Sequence, residues 1–166
     1  MLRHATLRGA VIVVSDRCVS GEREDGAGPF AVAALAEYGV RVPDVRVVPE
    51  GRGAVGQAIR AALEDGARVV LTAGGTGVGP RNFTPEATAG FLAVQLPGVA
   101  TQILLAGLAT TPQAGLSRGL VGLTSRNPDA ALIVNAPHSR GGVADVVGVI
   151  GPLLPHLLER RDTVSG

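Results

Sequence analysis

Residues 68–88 read RVVLTAGGTGVGPRNFTPEAT, and the succession of residue types within them sets the fold class. Arg68–Ala73 carries a short apolar run, as a strand covered on both faces requires. Four glycines follow at 74, 75, 77 and 79. Beyond Arg81 and Asn82 a helix start is legible: Thr84 suits the N-cap, Pro85 the first helical position, and Glu86 complements the positive end of the helix dipole. A buried strand that passes through a glycine loop into a helix is a unit of a parallel α/β sheet, with the loop beyond the strand's carboxyl end, where such sheets bind ligands.

The rest of the chain repeats that alternation. Upstream, GAVIVVS (9–15) predicts the first central strand, GPFAVAALAEYGV (28–40) a helix with Pro29 near its first turn and Gly39 at its stop, and DVRVVPE (44–50) a second strand. AVGQAIRAALEDG (54–66) predicts an amphipathic helix with Val55, Ile59, Ala62 and Leu63 inward and Gly66 at its C-cap. Downstream, FLAVQLPGVATQILLAGL (91–108) reads as one or two helices interrupted at Pro97-Gly98. The runs GLVGLTS (119–125) and AALIVNA (130–136) flank the turn-forming Arg126–Asp129 and predict a β-hairpin, which makes the sheet mixed. A last helix, about Gly142 to Glu159, carries Gly148, Gly151, Pro152 and Pro155 and is expected to kink or split.

With 166 residues, 46% hydrophobic and 17% charged, the chain is expected to form a single domain over residues 1–166. No apolar run approaches the ~18 residues that suggest a membrane span. The short run after the early arginines breaks at Ser15-Asp16-Arg17 and reads as a strand, not a signal peptide. Lone Cys18 cannot form an internal disulfide, so a cytoplasmic location is expected, and the residue reads as a small polar filler in a loop. A formal net charge of +1 offers no basic field for nucleic acid. All fifteen cationic side chains are arginine, which excludes Schiff-base chemistry and lysine-dependent phosphate motifs. His4, His138 and His156 lack the close pairing of a zinc site.

The glycine loop is not a Walker loop, since that pattern needs a lysine, and Pro80 stands where a dinucleotide fingerprint would need its third glycine. In a parallel sheet, however, the strand ends must share one edge. That edge would collect Ser15, Asp16, Glu50, Thr76, Arg81, Asn82, Glu86, Ser117, Arg118 and Asn135. Arginines for phosphate oxygens, glycine N–H groups around them and oxygen ligands for magnesium suit a phosphorylated ligand with a divalent cation.

Taken together, VVSDR (13–17), GGTGVGPRNFTPEAT (74–88), GLSRG (115–119) and LIVNAPHS (132–139) resemble, in order, the S-D-R, G-G-T-G with T-P-E/D-A-T, L-S-R and N-L-P-G segments of the MogA/MoaB family of molybdenum cofactor biosynthesis. The resemblance covers nearly the whole chain. It implies a three-layer α/β sandwich with a mostly parallel sheet, assembled as a trimer or hexamer, and in active members transfer of adenylate from ATP to molybdopterin with magnesium. Gly74, Gly75, Thr76 and Gly77 would then cradle phosphate, with Ser117 and Arg118 on the pterin phosphate or nucleotide, and Ser15, Arg81, Glu86, Asn135, Pro137 and Ser139 as further substrate-binding positions.

Two acidic positions linked to magnesium and catalysis in active members fall on Glu50 and Asn82, which with Asp16 are the candidate catalytic residues, Glu50 and Asn82 being the tentative magnesium ligands. A neutral amide in place of a carboxylate is expected to weaken that metal site. His138 stands where the family motif has glycine and adds bulk to the pterin pocket. Two classes of function follow: an adenylyltransferase that tolerates altered ligands, and a catalytically weak or silent MoaB-like pterin or nucleotide binder that acts through partners.

Overall fold

The computed structural model describes residues 6–159. His4 and both ends of the expected 1–166 domain lie outside the described residues. Strands β1 (Leu7–Val14), β4 (Val69–Ala73) and β7 (Leu132–Ala136) pair in parallel at the centre of a seven-stranded sheet. They are apolar without alternation because both faces are covered. Val11 and Val13 turn into one core with Leu35, Val143 and Ile150; Ile12 and Val14 turn into the other with Val55 and Ile59.

On one side of β1 lie β2 (Val40–Arg41) and β3 (Val45–Val48), both parallel to it. On the far side β7 continues antiparallel to β6 (Val121–Leu123), and β6 to β5 (Val94–Gln95). The mostly parallel sheet with its added hairpin is thus as expected. Arg68 ties the hairpin turn down, donating from Nε to the Ala130 carbonyl at 2.9 Å and from Nη2 to the Pro128 carbonyl at 2.8 Å. Helices α2 (Ala27–Ala36), α5 (Pro97–Leu108) and α6 (Arg140–Ile150) cover one face, and α3 (Arg52–Glu64) and α4 (Thr84–Ala89) the other. One-turn α1 (Asp16–Ser20) follows β1 directly. Among the described residues no helix is long and apolar enough to cross a membrane.

Two local readings change and a third holds. Residues 91–96 are not helical: Ala93 N–H donates to the Leu123 carbonyl at 2.9 Å and Leu96 N–H to the Val121 carbonyl at 2.8 Å, so the open edge of β6 takes a segment whose own pattern is ambiguous. Thr84 is not the cap of α4. It is the first helical residue, Phe83 precedes it, and its hydroxyl is buried against Gly75 with no hydrogen-bond partner among the described residues. The last helix splits, as expected: α6 ends at Ile150, a 3-10 turn spans Gly151–Leu153 and a π-turn Pro155–Glu159, because Pro152 and Pro155 cannot donate to the helical ladder.

Candidate functional site

The carboxyl ends of β1, β3, β4 and β7 share one edge, and Gly74 welds three of them. Its N–H donates to the Ala136 carbonyl at 2.9 Å, and a Cβ on it would stand 2.2 Å from the Val14 carbonyl oxygen. At φ +114° the residue also lies where side chains are strained. Gly75, at φ +69°, accepts the Thr84 N–H at 3.1 Å and leaves no room for a side chain above Thr84 Oγ1. These two glycines serve the course of the backbone, carrying the chain from β4 over α4.

Beyond them the loop is held by two arginine-centred clusters. In the first, Arg81 grips Asp16, Nε to Oδ2 at 2.7 Å and Nη2 to Oδ1 at 3.2 Å, and donates to the Glu50 carbonyl at 3.1 Å. Asp16 Oδ1 also accepts the Glu50 N–H at 3.1 Å. Asn82 bridges the remainder: Oδ1 accepts the Gly79 N–H at 3.0 Å and Nδ2 donates to Glu50 Oε1 at 2.8 Å. The Gly79 N–H can only donate, which fixes Oδ1 towards it and leaves the NH2 to face the Glu50 oxygen. Arg81 holds the Asp16 carboxyl below its usual range, mainly by the direct hydrogen bond. Glu50 goes the other way: partial burial and then the adjacent Asp16 push it up, against weaker opposing effects of Arg81 and Asn82.

In the second cluster, Arg118 fastens the loop from beneath. Its N–H donates to the Thr76 carbonyl at 2.8 Å, Nε to the Gly77 carbonyl at 2.9 Å, Nη2 to the Asn82 carbonyl at 2.8 Å, and Nη1 to Glu86 Oε1 at 2.7 Å. Glu86 therefore pairs with an arginine as well as standing in the first turn of α4. Asn135, buried on β7, spends its side chain inside the fold: Nδ2 donates to the Thr72 and Thr88 hydroxyls at 2.9 and 3.0 Å, and Oδ1 accepts the Leu120 N–H at 2.9 Å. Ser15 and Ser139 are helix caps, accepting the Cys18 and Gly142 N–H groups at 3.2 and 3.0 Å.

Thr76, Gly77, Ser117, Arg118, Asn135, Pro137 and Ser139 line one cavity of about 700 Å³. Its far wall comes from α5 and the 3-10 turn Pro112–Leu116, which includes Ala100, Ile103, Leu104 and Ala114, and from Ala144 and Asp145 of α6. Sequence reasoning did not point to this wall, because residues of α5 meet α6 only through the tertiary fold. Ser15, Asp16, Glu50, Gly74, Gly75, Arg81, Asn82 and Glu86 lie on the same sheet edge but are not in the cavity lining. Among the described residues no group of three or more His, Cys, Asp or Glu side chains is placed to hold a metal.

His138 packs beside Gly74, with Nε2 3.9 Å from Cys18 Sγ. Burial, and then the nearby Arg23, lower its pKa, with Asp25 opposing. Cys18 is half-buried inside α1, where it contacts His138, and is not the open loop residue expected.

Comparison with known proteins agrees with this architecture. A family model described as "Probable molybdopterin binding domain" matches residues 10–156. Among solved structures, a putative molybdenum cofactor biosynthesis protein from Corynebacterium diphtheriae superposes with a TM-score of 0.86 at 46% identity, covering 93% of this chain and 97% of that one. The molybdopterin biosynthesis enzyme MoaB from Thermus thermophilus gives 0.82 at 36% identity, over 93% and 95%. A molybdopterin adenylyltransferase from Helicobacter pylori is 28% identical over 157 residues, 93% of this chain and 87% of that protein. Four other curated relatives are longer proteins, and the chain spans less than half the length of each. With the family model covering most of the chain and the sheet order, glycine loop and strand-edge residues in place, the chain belongs to the MogA/MoaB family of molybdopterin-binding domains.

Proposed function

We propose that the chain acts in molybdenum cofactor biosynthesis by binding molybdopterin in the cavity between α5 and α6 and transferring adenylate to it from ATP. The observation that supports this best is the convergence of Thr76, Gly77, Ser117, Arg118, Pro137 and Ser139 on one cavity of about 700 Å³, at the sheet edge that also carries Asp16 and Glu50. In this reaction an oxygen of the molybdopterin phosphate attacks the α-phosphorus of ATP; one P–O bond forms and the bond to the departing pyrophosphate breaks. There is little covalent work for the protein to do, so positioning and charge neutralisation carry the catalysis. Arg81 and Arg118 present planar forks suited to phosphate oxygens. Both are exposed and paired with carboxylates, so a phosphate can take the place of Asp16 or Glu86 at small cost.

The donor set fits a magnesium ion in part. Asp16 and Glu50 bring hard carboxylate oxygens to one spot, where partial burial and then the neighbouring Asp16 already raise Glu50. Asn82 does not fit, since its carbonyl oxygen faces Gly79 and its NH2 faces Glu50. Held by Asp16 and Glu50, the ion would supply neutralisation of charge on the transferred group. A second reading, a pterin and nucleotide binder with weak or silent catalysis, is favoured by that same Asn82–Glu50 hydrogen bond. The two are separated by incubating the protein with ATP, molybdopterin and a magnesium series and following adenylylated molybdopterin and pyrophosphate. Turnover supports the enzyme; binding of both ligands without product supports the binder.

A further inference from the structure

The cavity carries two ionisable side chains among its lining residues, Arg118 at the glycine-loop side and Asp145 on α6. Arg118 is paired with Glu86 and with the Gly77 and Asn82 carbonyls. Asp145 is not: among the described residues no hydrogen bond or ion pair takes its carboxylate. Gly107, the buried residue of α5, faces it, and a Cβ at Gly107 would reach 3.8 Å from Asp145 Oδ2 while striking the Ala114 Cβ at 2.8 Å. A residue without a side chain therefore leaves the carboxylate open in the crease between α5 and the 3-10 turn. From Ser139, the cap of α6, Asp145 is six residues along the chain, about 9 Å of helical rise. The same lining brings apolar Ala100, Ile103, Leu104 and Ala144 together with the polar Thr110, Thr111 and Gln113.

A slot with apolar walls in part, phosphate-compatible groups at one end and a single carboxylate on α6 suits a flat ring that ends in adjacent N–H donors. A pterin offers that edge, its 2-amino group and N3–H pointing the same way, as a carboxylate's two oxygens require for paired acceptance. We propose that Asp145 reads the 2-amino and N3–H edge of the pterin and so determines ring specificity, a proposal that rests on the pterin-binding reading above. Lumazine, in which a carbonyl replaces the 2-amino group, would turn an acceptor towards the carboxylate and be rejected, since a buried site built for a donor discriminates strongly against its loss.

The test measures affinities of wild type, Asp145→Asn and Asp145→Ser for molybdopterin, pterin and lumazine by calorimetry, with melting curves to confirm that each variant is folded. The expected result is that wild type prefers pterin to lumazine by at least about tenfold, and that both variants bind molybdopterin and pterin at least about tenfold more weakly and lose the preference. Wild type that binds pterin, with folded variants that keep its affinity and preference, would overturn the role of Asp145 alone. Failure of wild type to bind either molybdopterin or pterin would overturn the pterin-binding reading and this proposal with it.

Discussion

Asn82 satisfies two neighbours of opposite need, accepting from Gly79 and donating to Glu50. An aspartate would keep the first bond, lose the second, and place another negative charge against a carboxyl that Asp16 already crowds. Asn82→Asp should therefore lower the melting temperature in chelator by about 2–4 °C, the effect of roughly 1 kcal/mol in a domain of this size. Added magnesium should restore it, and adenylyl transfer at sub-saturating magnesium should rise about tenfold, equivalent to ~1.4 kcal/mol. A variant whose melting ignores magnesium would rule out a cation between these groups.

Glu50 makes a separate prediction in pH. Its raised pKa means that the folded chain keeps a proton the unfolded chain has lost, so this group's contribution falls as pH rises from its ordinary value of 4.5 through the raised one. Asp16, lowered, contributes stability present above its ordinary 3.8 and lost as pH falls through its folded value. Glu50→Gln keeps an acceptor for Asn82 and removes the charge. Its melting temperature should lack the decline above pH 4.5 that Glu50 is expected to contribute in wild type; parallel profiles would contradict the raised pKa. At this scale the sequence located Asp16, Glu50, Arg81, Asn82 and Arg118 on one edge, because parallel strands end together. It did not disclose that Arg81 chooses Asp16 and Arg118 chooses Glu86, since partners among exposed side chains depend on the course of the loop.

Among the elements, the turn from β4 into α4 is the least tolerant of change. Gly74 combines a positive φ with a Cβ position 2.2 Å from the Val14 carbonyl, a backbone atom that cannot swing aside. Gly74→Ala should cost at least about 1–3 kcal/mol, the range for a residue held in a disfavoured backbone region, and lower the melting temperature accordingly. Gly53→Ala, inside α3 with open space around it, should leave the melting temperature unchanged or raise it. Equal effects of the two would show that the close approach at Gly74 relaxes freely. The central strands were legible because burial on both faces leaves continuous apolar runs, as in Val69–Ala73. The two-residue strands β2 and β5 were not, because two residues hold no period. Residues 91–96 misled for a related reason: the edge of β6, far away in sequence, decides their conformation, and Gly122 admits them closely, a Cβ there standing 2.4 Å from the Val94 carbonyl.

For the whole molecule, the helix that walls the cavity also faces outward. Most of α5 packs only partly on the core. Leu105 is 62% exposed and Leu108 44%, with Leu116 of the adjoining 3-10 turn at 58%. Single exposed leucines are ordinary, but several on one helix and its continuation form an apolar face of the kind that subunits cover. The segment holds no charged residue from Phe91 to Ser117, so nothing in it opposes association. We therefore expect the protein to be a homo-oligomer in solution, with α5 at the contact between copies. Closed symmetry makes any such contact repeat in every subunit, so one substitution acts on all interfaces at once. Leu105→Glu and Leu108→Glu should each shift the mass measured by light scattering at micromolar concentration towards the monomer, while melting remains cooperative because neither side chain belongs to the buried core. Wild type that runs as a single species of monomer mass would refute the assembly outright. Wild type that is oligomeric, with both variants unchanged in mass, would instead move the contact away from α5.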